Sequence, residues 1–174
     1  EGCPAVKIPG FYYKGFNWSE DGRKVLDPNE EEDFRVRFNP TVPGKWSYKI
    51  QLIENGNVSD EFSGSFDAAA SGSRGFIRVE PRMKRTFCYD NGELYIPIGQ
   101  NVAWNSRIPQ NETFSYFKDL LGNMADNGCN NVRIWLAQWN LALTSTALPP
   151  DDYSGRMHMA AVLDKIFEFM EDRG

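Results

Sequence analysis

Two hydrophobic periods divide the chain. In the first part, apolar and polar residues alternate. "DFRVRF" sets Phe34, Val36 and Phe38 against Arg35 and Arg37, and "KWSYKIQL" sets Trp46, Tyr48, Ile50 and Leu52 against Ser47, Lys49 and Gln51. Successive strand side chains point to opposite faces, so a period of two with one polar side marks antiparallel strands with one face in a core. "NPTVPGK", with Pro40, Pro43 and Gly44, is a turn between them, and "ENGN" at 54–57 is a second turn before a strand near "EFSGSF". Residues 11–66 therefore read as part of an immunoglobulin-like β-sandwich. Such a domain uses about seven strands, and fewer are countable here.

"AAASGS" at 68–73 is small, polar and featureless, the best linker candidate. "GFIRVEP" and "RTFCYDNGELYIPIG" follow, with "DNG" at 90–92 as a hairpin turn. Then the period changes. In "NETFSYFKDLLGNMADNG", Phe114, Phe117, Leu121 and Met124 recur three or four apart, which predicts one helix face; Asn111 or Thr113 can cap its start, and Gly128 suits the left-handed position past its end. "NNVRIWLAQWN" at 130–140 reads as a strand buried on both sides, with Arg133 among Val132, Ile134 and Leu136. A long loop with Pro149, Pro150 and Asp151 leads to a second helix carrying Met159, Leu163, Ile166 and Met170 on one face.

Strand, helix, strand, helix over 94–174 predicts a parallel sheet. Two such strands cannot cover both of their faces, and a closed barrel needs eight units. The expected organisation is a partial sandwich over 1–67, a linker over 68–75, and the first βαβα units of a (β/α)8 TIM barrel over 76–174. The chain is thus expected to be a piece of a longer protein; a self-contained α/β layer packed on the sandwich is the alternative.

Composition narrows the chemistry. The 174 residues are 41% hydrophobic and 25% charged, with net charge -5 and pI near 5.0. That is a globular chain with a mildly acidic surface, which argues against nucleic acid or an anionic membrane as partner. Basic "RMKR" at 82–85 and acidic "NEEED" at 29–33 read as solvated turns. Cys3, Cys88 and Cys129 have no metal-ligand spacing and read as free thiols, and the single His158 reads as a helix-surface residue; no metal or cofactor is expected. There is no glycine-rich phosphate loop and no GxSxG. Sequons at Asn17, Asn57 and Asn111 give weak support for secretion.

Four stretches in order, "FRVRFNPTVPGKWSYKI", "GFIRVEP", "FCYDNGELYIPIGQNVAW" and "NNVRIWLAQWN", resemble the cellulase-like glycoside hydrolases whose (β/α)8 barrel follows a β-sandwich domain of unknown function. The resemblance spans roughly residues 10 to 174. The departure is by absence: the first sandwich strands and most barrel units have no counterpart here. It implies an extracellular or cell-surface enzyme acting on a polysaccharide or oligosaccharide. It also implies that Arg133 points inward and orients a nucleophilic carboxylate. A buried guanidinium is tolerated only when paired, so a structural ion pair or a stem reaching the rim accounts for Arg133 as well. Asn101, Trp104, Trp135 and Trp139 fall at strand ends and become candidate sugar-binding residues. Tryptophan stacks on sugar C–H faces but is also a common core residue, and asparagine also closes turns.

Glycoside hydrolysis requires two carboxyl groups, one a protonated acid and one a carboxylate. No acidic residue ends either expected parallel strand, and the family's two catalytic glutamates correspond to nothing in the chain. A noncatalytic carbohydrate-binding or scaffolding module with a short α/β appendage is the rival expectation. On either account the 174-residue polypeptide should not release product from aryl glycosides or polysaccharides in a reducing-sugar assay; clear turnover would place an unrecognised carboxylate pair within it.

Overall fold

In this computed structural model the described residues are 5–103, 107–144, 149 and 152–173. The strands are β1 (Phe11–Trp18), β2 (Val25–Arg35), β3 (Gly44–Glu54), β4 (Asn57–Ala68), β5 (Ile77–Val79), β6 (Phe87–Tyr89), β7 (Leu94–Tyr95), β8 (Gly99–Val102) and β9 (Asn131–Ile134); the helices are α1 (Thr113–Asp126) and α2 (Met157–Glu171). Two compact units form, and neither is continuous in sequence. Arg37–Tyr95, with the residues up to Ile8, makes an antiparallel unit. Pro9–Val36 and the residues from Ile96 onward make an α/β unit.

The α/β unit holds the well-buried core. Phe114, Phe117, Leu121 and Met124 of α1 meet Met159, Val162 and Ile166 of α2, as their helical spacing requires. Val102 of β8 joins them, with Val132 and Ile134 of β9 packed against the cluster. The β1–β2 hairpin enters this core at one end: Val25 is buried, and Trp18 meets Phe114 edge to face at 5.6 Å. Its turn is tied to α1, where the Arg23 Nε donates to Ser115 Oγ at 2.9 Å, the Arg23 guanidinium pairs with Asp119, and the Lys24 ammonium lies 2.9 Å from Glu112. These half-exposed ion pairs orient the turn more than they stabilise it. At the other end, the Tyr153 hydroxyl accepts from the Tyr12 amide at 2.9 Å and donates to the Tyr12 carbonyl at 3.1 Å. One side chain thus occupies the outward backbone groups that another strand would use.

In the antiparallel unit, β3 and β4 form a long hairpin. Asn55 (φ 50°) and Gly56 (φ 80°) occupy its turn, both with the positive φ that matches strand twist in a two-residue connection. Register puts Trp46 opposite Phe66, Tyr48 opposite Gly64 and Ile50 opposite Phe62 on one face. A Cβ at Gly64 would lie 2.5 Å from the Tyr48 hydroxyl, so the glycine is what lets that ring lie across the strand. The face is open: Ile50 is 43% and Phe62 59% exposed. Strands β5, β6 and β7 form a separate antiparallel meander with the expected turn at Asp90–Gly92.

The (β/α)8 expectation is overturned. The chain forms mostly small antiparallel sheets with two short helices, and the stretch 76–95, expected to lead into a barrel, is the meander. The β8–β9 pair is parallel, but its strands are short and one face carries no cover among the described residues, whereas barrel strands are covered on both. Nor is an immunoglobulin-like sandwich confirmed, because the two long hairpins belong to different compact units. Residues 68–75 lie inside the antiparallel unit.

Smaller expectations change too. "NEEED" lies inside β2, its register to β1 shifted by irregularities near Phe16, while Val36 and Phe38 fall beyond the strand and Phe34 is 74% exposed. Helix α1 begins after a 3-10 turn, Gln110–Glu112, with no side-chain cap from Asn111 or Thr113, whereas Gly128 does take a positive φ of 79° past its end.

Burial fixes where the stability resides. Phe117→Ala, at a fully buried position, should cost about 3–5 kcal/mol in urea unfolding followed by helical circular dichroism. Phe62→Ser on the open hairpin face should change stability by no more than about 0.5 kcal/mol.

Candidate functional site

The site begins with the register of the parallel pair. Asn101 lies beside Arg133, and Gly99 beside Asn131. Val102, Val132 and Ile134 pack on the helices, so the alternation of strand side chains turns Asn101, Asn131 and Arg133 to the other face, where all three are exposed. Two features set this register. A Cβ at Gly99 would lie 1.7 Å from the Asn131 carbonyl oxygen, so only glycine lets the strands approach there. The Asn130 side chain then extends the ladder: its Nδ2 donates to the Ile96 carbonyl at 3.0 Å, and its Oδ1 accepts from the Ile98 amide at 2.7 Å.

Arg133 is therefore not a charge inside a doubly covered strand. It is exposed, and among the described residues no side-chain hydrogen bond or ion pair holds its guanidinium. The buried-strand expectation fails because β9 ends at Ile134 and is covered on one face; Leu136 beyond it is 57% exposed rather than facing the helices. Trp104 lies outside the described residues. Trp135 and Trp139 are 45% and 56% exposed, on the run that leaves the carboxyl end of β9. Asn101 and Arg133 thus share one open face, and Trp135 and Trp139 follow on the run beyond its carboxyl end.

That loop has an internal anchor. The Asn140 and Ala142 amides both donate to the Ala137 carbonyl, at 2.9 and 3.1 Å, and Leu141 is fully buried. Asn140 is also buried, at 1% exposed, and its Nδ2 has no hydrogen-bond partner among the described residues. Arg156, at the start of α2, reaches back across the loop. Its Nε donates to the Ala142 carbonyl at 3.0 Å and its Nη2 to the Asn140 carbonyl, while Nη1 lies 3.5 Å from Gln110 Oε1. Burial pulls its pKa below the usual arginine value. Arg156 and Asn130 escaped sequence reasoning because each acts on backbone carbonyls and amides of residues distant in the chain, which no local pattern marks.

His158 lies on α2 and contacts a neighbouring element. It is half-buried in the first turn of α2, its Nε2 3.3 Å from the same Gln110 oxygen. Among the described residues no three His, Cys, Asp or Glu side chains gather as a metal site, and no helix is long and apolar enough to cross a membrane. Cys88 is buried and Cys129 half-buried, both as free thiols; Cys3 lies outside the described residues. Near α1, a shallow depression lined by Ile108, Tyr116 and Leu120 also contains Glu112 and Asp119, but both carboxylates are occupied by Lys24 and Arg23. Asp152 accepts from the Ser154 amide at 2.8 Å, a bond that lowers its pKa and closes the 3-10 turn before α2. None of these is placed as an acid–base pair.

Burial, and then the Arg156 charge, lower the pKa of His158 from 6.5. The unfolded chain therefore takes up this proton first as pH falls. The stability linked to neutral His158 is complete above about pH 6.5 and is lost as pH falls through the depressed folded value. His158→Gln should flatten the dependence of the urea midpoint on pH below about 6.5, leaving the midpoint above it little changed; an unaltered slope would show that His158 titration is not linked to folding.

No family model, no curated protein and no solved structure matches this chain.

Proposed function

We propose that these residues are part of a secreted or cell-surface glycoside hydrolase acting on O-glycosidic bonds of a polysaccharide or oligosaccharide, a β-glycan above all. The open face of β8–β9 and the loop after it contribute to its sugar-binding surface. The observation that carries the reading is the juxtaposition of Asn101 with Arg133 on that face, with two exposed indoles following at the carboxyl end of the strand. Sugar rings offer apolar C–H faces that stack on aromatic planes and hydroxyls that need hydrogen-bond donors and acceptors. An indole beside an amide and a guanidinium meets both needs. On this reading Arg133 orients a carboxylate supplied by residues other than these, since a guanidinium matches a carboxylate in a two-point contact and helps keep it ionised. Asn101 and Trp135 contact sugar near it, and Trp139 stacks farther out.

A second reading has one observation in its favour. The β3–β4 hairpin carries a row of exposed aromatic and aliphatic side chains, Tyr48, Ile50, Phe62 and Phe66, that the hydrolase reading does not use. A noncatalytic carbohydrate-binding or scaffolding module would use that face instead.

Affinity electrophoresis in gels containing soluble β-glucan or mannan separates the two. Under the first reading the wild-type chain is retarded, a Trp135→Ala/Trp139→Ala variant is not, and Tyr48→Ala with Phe62→Ser has no effect. Retardation that survives loss of both indoles and disappears with the hairpin substitutions would transfer the function to the hairpin.

A further inference from the structure

We infer that Arg156 is the positioning residue of the aromatic loop: its guanidinium, bridging the carbonyls of Asn140 and Ala142, fixes where Trp139 presents its indole. This rests on the glycan-binding reading for its purpose, but not for its geometry.

Strand β9 ends at Ile134, and Trp139 lies five residues beyond it. The strand ladder cannot hold an indole at that distance. Local contacts that hold the segment include a turn closed on the Ala137 carbonyl and the buried residues Asn140 and Leu141 immediately after Trp139. A turn that leaves carbonyls inside the protein has to find donors for them. Those of Asn140 and Ala142 receive theirs from one side chain, through Nε and Nη2 of Arg156. Two nitrogens in a rigid plane restrain two carbonyls together, which a lysine ammonium on a flexible stem cannot do. Among the described residues no carboxylate pairs with Arg156, so its charge is directed to these carbonyls and to Gln110. Gln110, from the turn before α1, meets both Arg156 and His158 and braces the fork from the side.

An indole held in place before the ligand arrives loses less freedom on binding. Arg156→Lys should therefore weaken binding of a cello-oligosaccharide by about three- to tenfold and raise the acrylamide quenching of Trp139, read as the difference between each protein and its Trp139→Phe counterpart. Trp139→Ala should weaken binding at least as much, and adding Arg156→Lys to it should weaken binding no further, because the arginine acts through the indole. Arg156→Lys keeps charge and stem and is chosen to preserve folding; a melting curve confirms that, and Gln110→Ala, which removes only the brace, should shift the quenching in the same direction. If Arg156→Lys leaves Trp139 quenching unchanged in a folded protein, the positioning role is overturned. If Trp139→Ala weakens binding and Arg156→Lys does not, the positioning role also falls while the glycan reading stands. If removing both Trp135 and Trp139 leaves binding intact, the glycan reading falls, and the quenching comparison, which needs no ligand, still decides whether Arg156 holds the loop.

Discussion

The α/β unit depends on one act of burial: the apolar stripes of α1 and α2 close over a single face of a two-stranded parallel sheet. Phe117, Met159 and Val162 are fully buried there, and Val102, Val132 and Ile134 are the strand residues they cover. Because strand side chains alternate, covering one face commits the other. A slip of one residue in β9 would send Arg133 into the helices and Val132 into solvent, at a cost of several kcal/mol for an unpaired buried charge. The Gly99 approach and the Asn130 amide bonds prevent that slip from the amino-terminal side. The polar face with Asn101 and Arg133 is thus a by-product of the core as much as a feature in its own right, and its exposure follows from the same packing that makes the unit stable.

The loop above that face works by a different principle. Nothing in its described part is periodic, and its order comes from a buried leucine together with donors supplied to backbone carbonyls. Leu141 anchors it by burial, and Arg156 by hydrogen bonding. The two are complementary, because a buried leucine fixes depth but not rotation, whereas a planar fork on two carbonyls fixes orientation. A loop held in both ways is a suitable mount for an exposed indole.

What could be read from the sequence follows from this contrast. Helices α1 and α2 were legible because Phe114, Phe117, Leu121 and Met124 repeat at the helical period, and the hairpin turn at Asn55–Gly56 because only a few residue types accept positive φ. The parallel pairing that sets Asn101 beside Arg133 is consistent with two strands joined by a helix, although the register itself is not legible in the sequence. The barrel did not follow, since alternation of element types fixes local connectivity and not the number of units or the cover on each face. The exposure of Arg133 is hidden for a related reason: "VRIWL" looks continuous in composition, yet the strand ends at Ile134, and Leu136 is an exposed loop residue. The strand through "NEEED" is hidden because charge alone argues for a turn, whereas a strand with both faces largely solvated tolerates it. Arg35 shows how: it pairs with Glu31 and Asp33 and lies over the Tyr13 ring at 3.4 Å, offsetting part of the repulsion within β2.

Exposed aromatic residues occur in both units, and they are not equivalent. On and beside the β3–β4 hairpin the rings contact one another: Phe38, before β3, meets Trp46 edge to face at 4.9 Å, and Tyr48 lies tilted against Phe66 at 6.5 Å. Rings turned edge to face present no common plane to a flat ligand, and the neighbours along the stripe, Ile50 and Leu52, offer no hydrogen bonds. Such a face is suited to packing against another apolar surface. Around Trp135 and Trp139 the exposed neighbours in sequence and register are Asn101, Arg133 and Gln138, all of them polar. The two exposed surfaces therefore differ in chemistry: the hairpin stripe is aromatic and aliphatic, whereas the run from Arg133 to Trp139 interleaves indoles with exposed amide and guanidinium side chains.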